Sequence, residues 1–397
     1  MVRESSILLR LRRLTRAESR RNRRGGVVLA LSLGACAAGA GISANPGHVM
    51  PAAPDIQETE PALQDSIAIA RIEQVVDSLM ESQGIPGLSV AVSREGASWQ
   101  RGRGYADVEN RVPATPATSY ALASLMKPMT AAATLQLAAG GRIDLDAEIQ
   151  AYVPYYPRKR WPVTVRQVLG HLAGIGCRDF TWSEGLDKTP HDTRAVIALF
   201  KDCDLLFEPG TRFEYSSWGY DLLGALIEEV TGTSFGDYMS AHVWKTLGMM
   251  RTGLDTRDLV PDRARGYQLE AGVLRNAPYV DNSLWFAAGG GRSTVVDLVR
   301  FAHGLDEGKA LSREAQRAMY TPMVTRDGQS TKYGMGWGII DVAGRTAVYW
   351  MGSQPGTTTV LLRIPEKRIA VAMACNLGDR PMPMFRAALR CAEALLP

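Results

Sequence analysis

The hydrophobic pattern after residue 62 opens with one helix and two strands. Between residues 63 and 83, apolar residues recur at the three- and four-residue intervals of an amphipathic helix: Ile69, Ile72, Val75, Val76 and Leu79. A Gly-Ile-Pro-Gly segment at 84–87 ends this helix. The runs 88–94 and 98–105, joined at Glu95-Gly96, are then predicted to be strands.

Helical patterns dominate the middle of the chain, and strands return at its end. The Ala-rich stretch 125–139 predicts a buried helix that stops at Gly140-Gly141, and 220–230 predicts another. Three strands and a last amphipathic helix follow, at 346–351, 357–364, 369–375 and about 382–396. Strands at both ends with helices between them indicate one sheet built from both chain ends. We expect the functional site in the cleft between that sheet and a mainly helical lobe.

Charge separates the N-terminal segment from the rest of the chain. The 397 residues carry a formal net charge of +4, but residues 1–24 alone hold nine Arg and two Glu. The remainder has 36 basic and 39 acidic residues, so the basic balance does not belong to a folded surface. Nucleic-acid binding by the body of the protein is therefore not expected, because it normally needs a basic stripe.

Residues 1–36 have the composition of an export signal. An Arg-rich start is followed by a short apolar stretch at 27–33, too short to span a bilayer, and by small residues up to Cys36. Leu-Gly-Ala-Cys at 33–36 favours a lipoprotein signal in which Cys36 is lipidated. A simple signal peptide and a mitochondrial transit peptide remain alternatives, and the long Arg-rich region leaves the true start codon and the export route open.

We therefore expect an exported protein, periplasmic or anchored to the membrane by lipid, with a mitochondrial location as the alternative. The Pro-rich segment 37–62 would then be a tether. Contact with a membrane would come only through the anchor or the signal.

The cysteines and histidines do not form a metal-binding pattern. Five Cys include no C-x-x-C pair and five His include no H-E-x-x-H motif, so neither a metal site nor a thioredoxin-type redox site is expected. The chemistry indicated by the motifs described below needs no cofactor. An exported chain permits disulfides, but the sequence does not fix the pairing of Cys177, Cys203, Cys375 and Cys391. The Gly-rich stretch 289–294 lacks the lysine of a phosphate-binding loop and is predicted to be a tight turn entering a helix.

Ser124 and Lys127 form an S-x-x-K motif at the start of a predicted helix. Residues three apart lie on one helix face, so the lysine amine is able to reach the serine hydroxyl. The helix N-terminus adds partial positive charge and free N–H groups, which favour an alkoxide. Lys127 is the only charged residue in the apolar stretch 121–139, and a buried lysine can activate a serine. The alternative is two polar residues exposed on a helix.

Two further segments offer groups for the same chemistry. Tyr215 precedes an apolar helix and is a candidate proton shuttle, although a lone tyrosine is more often a core residue with a satisfied hydroxyl. Trp350, Met351, Gly352 and Ser353 end an apolar strand. A backbone N–H just after a glycine on an edge strand can donate to an oxyanion, and Gly352 would let a substrate approach the backbone.

In this chain order, the serine, lysine, tyrosine and late strand resemble the serine β-lactamase and penicillin-binding-protein superfamily. Within it the chain is similar to class C β-lactamases, family VIII esterases, D-aminopeptidases and the mitochondrial β-lactamase-like serine proteases. The resemblance covers about residues 65–395. Its motifs are GRIDLD at 141–146, VLGHLAGI at 168–175, LFKD at 199–202, YSSWGYDLLG at 215–224, APYVDNS at 277–283, GGG at 289–291 and YGMGWG at 333–338.

The resemblance implies an α/β (α+β) fold of the β-lactamase type, with an antiparallel sheet flanked by N- and C-terminal helices and a mainly helical lobe. It places a hydrolase domain at 63–397, with the sheet lobe at about 63–122 and 290–397 and the helical lobe at about 123–289. Ser124 would be the acylated nucleophile, Lys127 would help deprotonate it, and Tyr215 would relay the proton to the leaving group. Backbone N–H groups of Ser124 and Ser353 would form the oxyanion hole.

Two positions depart from the family pattern. Ser217 stands where class C β-lactamases have an Asn that contacts the substrate amide, and Trp350 stands where they have the Lys of Lys-Thr-Gly. A tryptophan cannot anchor a β-lactam carboxylate by charge. Ser217, Trp350 and Gly352 are therefore expected to contact a different substrate, unless Trp350 only packs in the core. His171 is expected to be structural, since the mechanism gives it no role as a base.

The main hypothesis is a serine hydrolase that forms an acyl-enzyme with an ester or amide, as an esterase or peptidase rather than a β-lactamase. Its partner would be a small-molecule or peptide substrate. The loss of the Asn and the Lys leaves open a non-catalytic ligand-binding or sensor protein. Likeness to the mitochondrial relatives leaves open a self-assembling one. The sequence gives neither the substrate nor the oligomeric state.

Overall fold

A seven-stranded antiparallel sheet lies at the centre of the structure, a computed structural model that describes residues 61–178, 180–181, 183 and 185–396. Its strand order is β3-β2-β1-β12-β11-β10-β9, and β4-β8-β5 and β6-β7 form two smaller sheets. The strands are β1 (Gly87–Arg94), β2 (Ala97–Asp107), β3 (Val112–Pro113), β4 (Tyr120–Ala121), β5 (Gly253–Leu254), β6 (Tyr267–Glu270), β7 (Val273–Asn276), β8 (Gly291–Ser293), β9 (Gly338–Val342), β10 (Arg345–Gln354), β11 (Thr357–Ile364) and β12 (Ile369–Cys375).

Helices cover both faces of the large sheet. They are α1 (Ser66–Gln83), α2 (Lys127–Ala139), α3 (Val165–Leu169), α4 (Thr193–Ala198), α5 (Ser217–Thr231), α6 (Phe235–Met239), α7 (Val295–Asp306), α8 (Arg313–Tyr320) and α9 (Pro381–Ala394). Helix α1 begins after Asp65, whose side chain caps the Ala68 N–H at 2.9 Å. It ends at Gly84, which adopts the left-handed conformation with φ of 63°.

The central strands are buried on both faces, and their alternating residues enter two hydrophobic cores. Val90 and Val92 of β1 pack in one core with Ile72 of α1 and Met384 of α9. Ala91, between the two valines, points to the other core, which contains α2, α5 and most of the helical region. This is the period of two expected for a strand. The flanking terminal helices therefore occupy one face, and the helical region occupies the other.

Both chain ends contribute to the sheet, as the hydrophobic pattern predicted. Strand β1 pairs with β12 in antiparallel register, with Val90 opposite Met373. The interpretation of the Gly-rich stretch as a tight turn was wrong for Gly291–Ser293, which forms strand β8 between β4 and β5. Strand β10 is also longer than predicted, because its pairing with β11 continues to Gln354.

The N-terminal predictions fall on residues that the structure does not describe. The expected signal at 1–36, Cys36 and residues 37–60 of the expected tether all lie outside the described residues. Within residues 61–396, apart from 179, 182 and 184, no helix is long and apolar enough to cross a membrane.

Candidate active site

Ser124 lies in a short turn between strand β4 and helix α2. The turn is a 3-10 segment, Ala123–Met126, that continues directly into α2. The preceding residue, Ala123, has φ of 47°, a left-handed conformation that costs a non-glycine residue about 1–2 kcal/mol. Hydrogen bonds hold this backbone, since the Leu122 N–H donates to the Gly291 carbonyl at 2.7 Å and the Thr359 hydroxyl donates to the Leu122 carbonyl at 2.8 Å. The strained turn is thus hydrogen-bonded to the large sheet and to the β4-β8-β5 sheet, and Ser124 is partly exposed.

Lys127 is fully buried and points its amine at the serine. Its Nζ lies 3.2 Å from Ser124 Oγ, 3.3 Å from Ser217 Oγ and 2.7 Å from the Ala288 carbonyl oxygen. The amine also lies 4.9 Å from the centre of the Tyr215 ring. These three hydrogen bonds satisfy a group whose burial would otherwise be costly. The structure therefore brings together the S-x-x-K pair as its spacing predicted.

The Tyr215 phenol completes a cluster of three heteroatoms. Its hydroxyl donates to Ser124 Oγ at 2.7 Å. His171 supports this arrangement from behind, because its ring lies 4.6 Å from the Tyr215 ring and its Nδ1 accepts the Ser216 N–H at 3.2 Å. Burial, with a smaller effect from the Lys127 charge, holds the pKa of His171 well below its usual value. His171 is thus a neutral ring that orients the tyrosine segment and does not contact Ser124.

Helix α5 begins at Ser217, beside this cluster. The Ser216 side chain caps the helix by accepting the Gly219 N–H at 3.2 Å. Because this cap fixes the first turn, the Ser217 hydroxyl faces Lys127 at 3.3 Å. The residue predicted to contact substrate is therefore hydrogen-bonded to the lysine amine.

The end of strand β10 packs directly on the nucleophile turn. A Cβ at Gly352 would lie 1.9 Å from the Leu122 carbonyl oxygen and 2.6 Å from Thr359 Oγ1, so only glycine fits. Strand β9 pairs with β10 only as far as Tyr349, so the segment from Trp350 to Gln354 has a β-sheet partner on one side only among the described residues. This places Ser353 next to the turn on a locally free strand edge. An oxyanion hole made by the Ser124 and Ser353 N–H groups stays a prediction.

Trp350 lies among aromatic rings. Its ring centre is 5.7 Å from that of Tyr215 and 5.0 Å from that of Tyr333, and the side chain remains partly exposed. Aromatic pairs at these distances stabilise one another beyond the area that they bury. The residue therefore forms an apolar wall next to Tyr215.

Asp221 is a part of this site that the sequence reasoning missed. The residue is fully buried on α5, and its Oδ1 accepts the N–H groups of Ala287 and Ala288 at 3.2 and 3.0 Å. The carbonyl oxygens of the same two residues accept from Thr130 and Lys127, each at 2.7 Å. Burial raises the pKa of Asp221 to about 7, although the nearby lysine charge opposes the shift. The only acidic residue in the apolar run 220–227 is Asp221, and this was the available signal.

A disulfide closes a loop that packs beside the site. Cys177 and Cys203 are bonded, with Cα atoms 5.4 Å apart, which settles the pairing that the sequence left open. Inside this loop, Phe180 and Phe200 pack on Trp218, with ring centres 5.3 and 4.9 Å away. Trp218 directly follows Ser217. The loop therefore supports the first turn of α5.

The other two cysteines of the described chain are buried thiols. Burial raises the pKa of Cys375 to about 11 and that of Cys391 to about 12, so both stay protonated at neutral pH. Among the described residues, no group of three or more His, Cys, Asp or Glu side chains is placed to hold a metal ion.

Comparisons with known proteins extend over nearly all of the described chain. A family model described as Beta-lactamase matches residues 72–396. The human serine beta-lactamase-like protein LACTB, a mitochondrial protein, is 27% identical over 78% of this chain and 77% of its own. A D-aminopeptidase of Gluconobacter oxydans is 28% identical, with 79% of this chain and 60% of that protein covered. The octameric penicillin-binding protein homologue from Pyrococcus abyssi is 29% identical with a TM-score of 0.71, over 81% of this chain and 76% of that chain.

Proposed function

The chain belongs to the Beta-lactamase family, as its motifs predicted, and from that premise we propose that it hydrolyses an ester or an amide through an acyl-enzyme on Ser124. One observation carries the proposal. The Ser124 hydroxyl lies 3.2 Å from a lysine amine and 2.7 Å from a tyrosine hydroxyl, at the start of a helix. A nucleophile within hydrogen-bond reach of a base, with that base oriented by further groups, is the arrangement that covalent catalysis requires.

The proposed reaction has two halves. Lys127 acts as the general base and accepts the hydroxyl proton while Ser124 Oγ bonds to the substrate carbonyl carbon. The Ser124 and Ser353 N–H groups hold the resulting oxyanion. As the bond to the leaving group breaks, a proton passes through Tyr215 to the departing oxygen or nitrogen. Water then adds to the acyl carbon and gives a proton to the same groups. They return this proton to Ser124 Oγ as its bond to the acyl carbon breaks, which releases the acid and regenerates the serine hydroxyl.

Trp350 and Ser217 make β-lactams poor candidates as substrates. Where the family pattern has a lysine, the Trp350 ring packs with Tyr215 and Tyr333 and offers an apolar face. The Ser217 hydroxyl is already directed at Lys127. An uncharged or aromatic group fits this end of the cleft better than a carboxylate does. The similarity to a D-aminopeptidase supports an amino-acid amide or a short peptide as one such substrate.

Export to an oxidising compartment is part of the proposal. The Cys177–Cys203 disulfide supports it, because such bonds persist outside the reducing cytosol. The residues at 1–36 supply the matching signal, with Cys36 as the lipidation site of a periplasmic or membrane-anchored protein. A mitochondrial location, as in the human relative, is the alternative.

A substrate panel tests the proposal. Purified protein is assayed with p-nitrophenyl esters, with p-nitroanilides of D- and L-amino acids, and with nitrocefin. We expect turnover of at least one ester or amide at a higher kcat/KM than nitrocefin, and its loss in Ser124→Ala. Turnover that survives in Ser124→Ala would contradict the assignment of the nucleophile.

A further inference from the structure

A cavity of about 300 Å³ lies near the nucleophile turn, at the end of strand β10. Ala121 of β4 and Gln354 at the end of β10 both line it. Ala121 precedes Ser124 by three residues, so their Cα atoms are at most about 11 Å apart. Gln354 directly follows Ser353. An extended substrate with its carbonyl at Ser124 is thus able to reach into this cavity.

The charge in the cavity wall is positive and incompletely paired. Three arginines line it, together with one acidic residue, Asp255. Arg263 is ion-paired with Asp255 at 3.0 Å, and Arg265 is ion-paired with Glu109 at 3.4 Å. Arg292, the third, has no carboxylate within 4 Å among the described residues.

Arg292 is also short of hydrogen-bond partners. Its Nη1 donates to the Arg251 carbonyl at 3.0 Å, but its buried Nε–H has no partner among the described residues. Burial lowers the pKa of Arg292, with Asp255 acting in the opposite direction, so its charge is partly desolvated without a direct counter-charge. A half-buried guanidinium in this state favours an anion, because its planar set of donors matches a carboxylate or phosphate.

Two neighbouring side chains each have one polar atom without a partner among the described residues. Ser119 and Asn282 line the same cavity and are only 3% and 4% exposed. The Ser119 hydroxyl and the Asn282 Oδ1 make no hydrogen bond among the described residues. Buried polar groups are normally paired, so three unpaired atoms in residues that line one cavity leave unused hydrogen-bonding capacity beside it.

Polarity therefore changes along strand β10. At Trp350 the cleft is aromatic, whereas the cavity wall beside Gln354 contains Arg292, which has no carboxylate partner among the described residues. We propose that this cavity is a substrate subsite that binds an anionic group, such as a carboxylate, through Arg292. The proposal rests on the proposed hydrolase function and narrows its substrates to those with an anionic group several bonds from the cleaved carbonyl.

A matched pair of esters tests whether the subsite binds a carboxylate on the acyl half of the substrate. The p-nitrophenyl ester of hexanoic acid and the mono-p-nitrophenyl ester of adipic acid have the same chain length and differ only in a terminal carboxylate. In Arg292→Gln, the ratio of kcat/KM for the adipate to that for the hexanoate should fall about tenfold, mainly through the KM of the adipate. Arg194→Gln is the control, since it removes an equal charge from an exposed arginine paired with Glu229. That control should keep the wild-type ratio.

A second pair of esters carries the carboxylate on the leaving group instead of the acyl chain. Hexanoate esters of 3-hydroxybenzoic acid and of 3-methylphenol are compared in the same variants. A selective loss for the 3-hydroxybenzoate supports the subsite and assigns it to the leaving-group side. Unchanged ratios for both pairs of esters overturn the proposal.

A direct binding measurement tests the subsite without relying on turnover or on the folding of the Arg292 variant. Adipate is titrated calorimetrically into Ser124→Ala and compared with its neutral diamide. We expect the dianion to bind at least tenfold more tightly, and equal affinities would overturn the subsite. This result is separable from the proposed function, because a protein that binds adipate but hydrolyses no ester contradicts the hydrolase and retains the subsite.

Discussion

The phenol of Tyr215 donates a hydrogen bond of 2.7 Å to the hydroxyl of Ser124, from a position 91 residues further along the chain. The segment that carries the phenol is fixed from behind by His171 and by the N-cap of α5. The distance is short enough for direct proton transfer. The two residues therefore meet as the proposed mechanism requires.

Removing the phenol hydroxyl should slow the reaction without unfolding the protein. Tyr215→Phe keeps the ring against His171 and Trp350 but loses the proton relay, so we expect kcat to fall about 100- to 10,000-fold. Tyr220→Phe is the matched control, because its hydroxyl donates to the Leu169 carbonyl at 2.8 Å and takes no part in the chemistry. Steady-state kinetics with the best ester checks this. Equal effects of the two substitutions would remove Tyr215 from the mechanism.

The glycine of strand β10 should be intolerant of even one methyl group. In Gly352→Ala the new Cβ would overlap the Leu122 carbonyl oxygen at 1.9 Å, so the strand must move away from the nucleophile turn. A displacement of about 1 Å in such a site costs about 100-fold in rate. Gly140→Ala serves as the control, since its nearest neighbour is the Gln136 carbonyl at 3.4 Å. A Gly352→Ala enzyme with wild-type kcat would show that the contact of β10 with the turn is unimportant.

The buried carboxyl of Asp221 should leave a signature in the pH dependence of stability. Because burial raises its pKa from 3.8 to about 7, the folded chain keeps a proton between about pH 4 and 7 that the unfolded chain has lost. The free energy of unfolding should therefore fall as pH rises through this window, by at most about 4 kcal/mol from this group, and level off above it.

Asp221→Asn should remove that slope, because the amide does not titrate. Denaturant unfolding of both proteins at several pH values from 4 to 8 measures the difference. The buried acids Asp255 and Asp297, whose pKa values burial also raises, are present in both proteins and cancel in the comparison. A difference that stays constant with pH would mean that Asp221 does not titrate in this range.

Reduction of the disulfide should destabilise the protein, including the loop 177–203 that packs on Trp218. Cys177 and Cys203 are 26 residues apart, and closing a loop of that length lowers the entropy of the unfolded chain, which stabilises the fold by about 3.5 kcal/mol. The double variant Cys177→Ser/Cys203→Ser should melt at a lower temperature than the oxidised wild type, and dithiothreitol should lower only the wild-type value. A wild-type melting temperature that dithiothreitol leaves unchanged would contradict this prediction.

Local spacing was sufficient to predict some parts of the site and not others. Ser124 and Lys127 are three residues apart, so the geometry of a helix start brings them together. The sheet from both chain ends followed from apolar runs, because strands buried on both faces are continuous apolar segments. The approach of Tyr215 depended on the family resemblance, since the periodicity of a segment does not specify a contact across 91 residues.

Asp221 and Arg292 could not be predicted because their roles come from tertiary neighbours. Asp221 matters through the Ala287 and Ala288 N–H groups, 66 and 67 residues away in sequence. Arg292 is notable because it lacks a carboxylate partner within the part of the chain that the structure describes, and a sequence does not show which ion pairs form. The strand β8 that carries Arg292 is only three residues long, too short for its pattern to distinguish it from a turn.

A ligand-binding or sensor protein that reuses the fold makes a different prediction from an enzyme. Such a protein would form an acyl adduct with an activated ester and keep it, whereas a hydrolase would release the acid and return to its original mass. Intact mass measured over time after mixing with an ester separates the two. Light scattering at high concentration tests the self-assembling alternative.

The most direct test of the central claim is covalent labelling of the nucleophile. The wild type is treated with a fluorophosphonate, and the modified residue is identified by intact mass and peptide mapping. We predict one adduct per chain, on Ser124, formed more slowly in Lys127→Met and absent in Ser124→Ala. An adduct on another residue, or equal labelling of Ser124→Ala, would contradict the account.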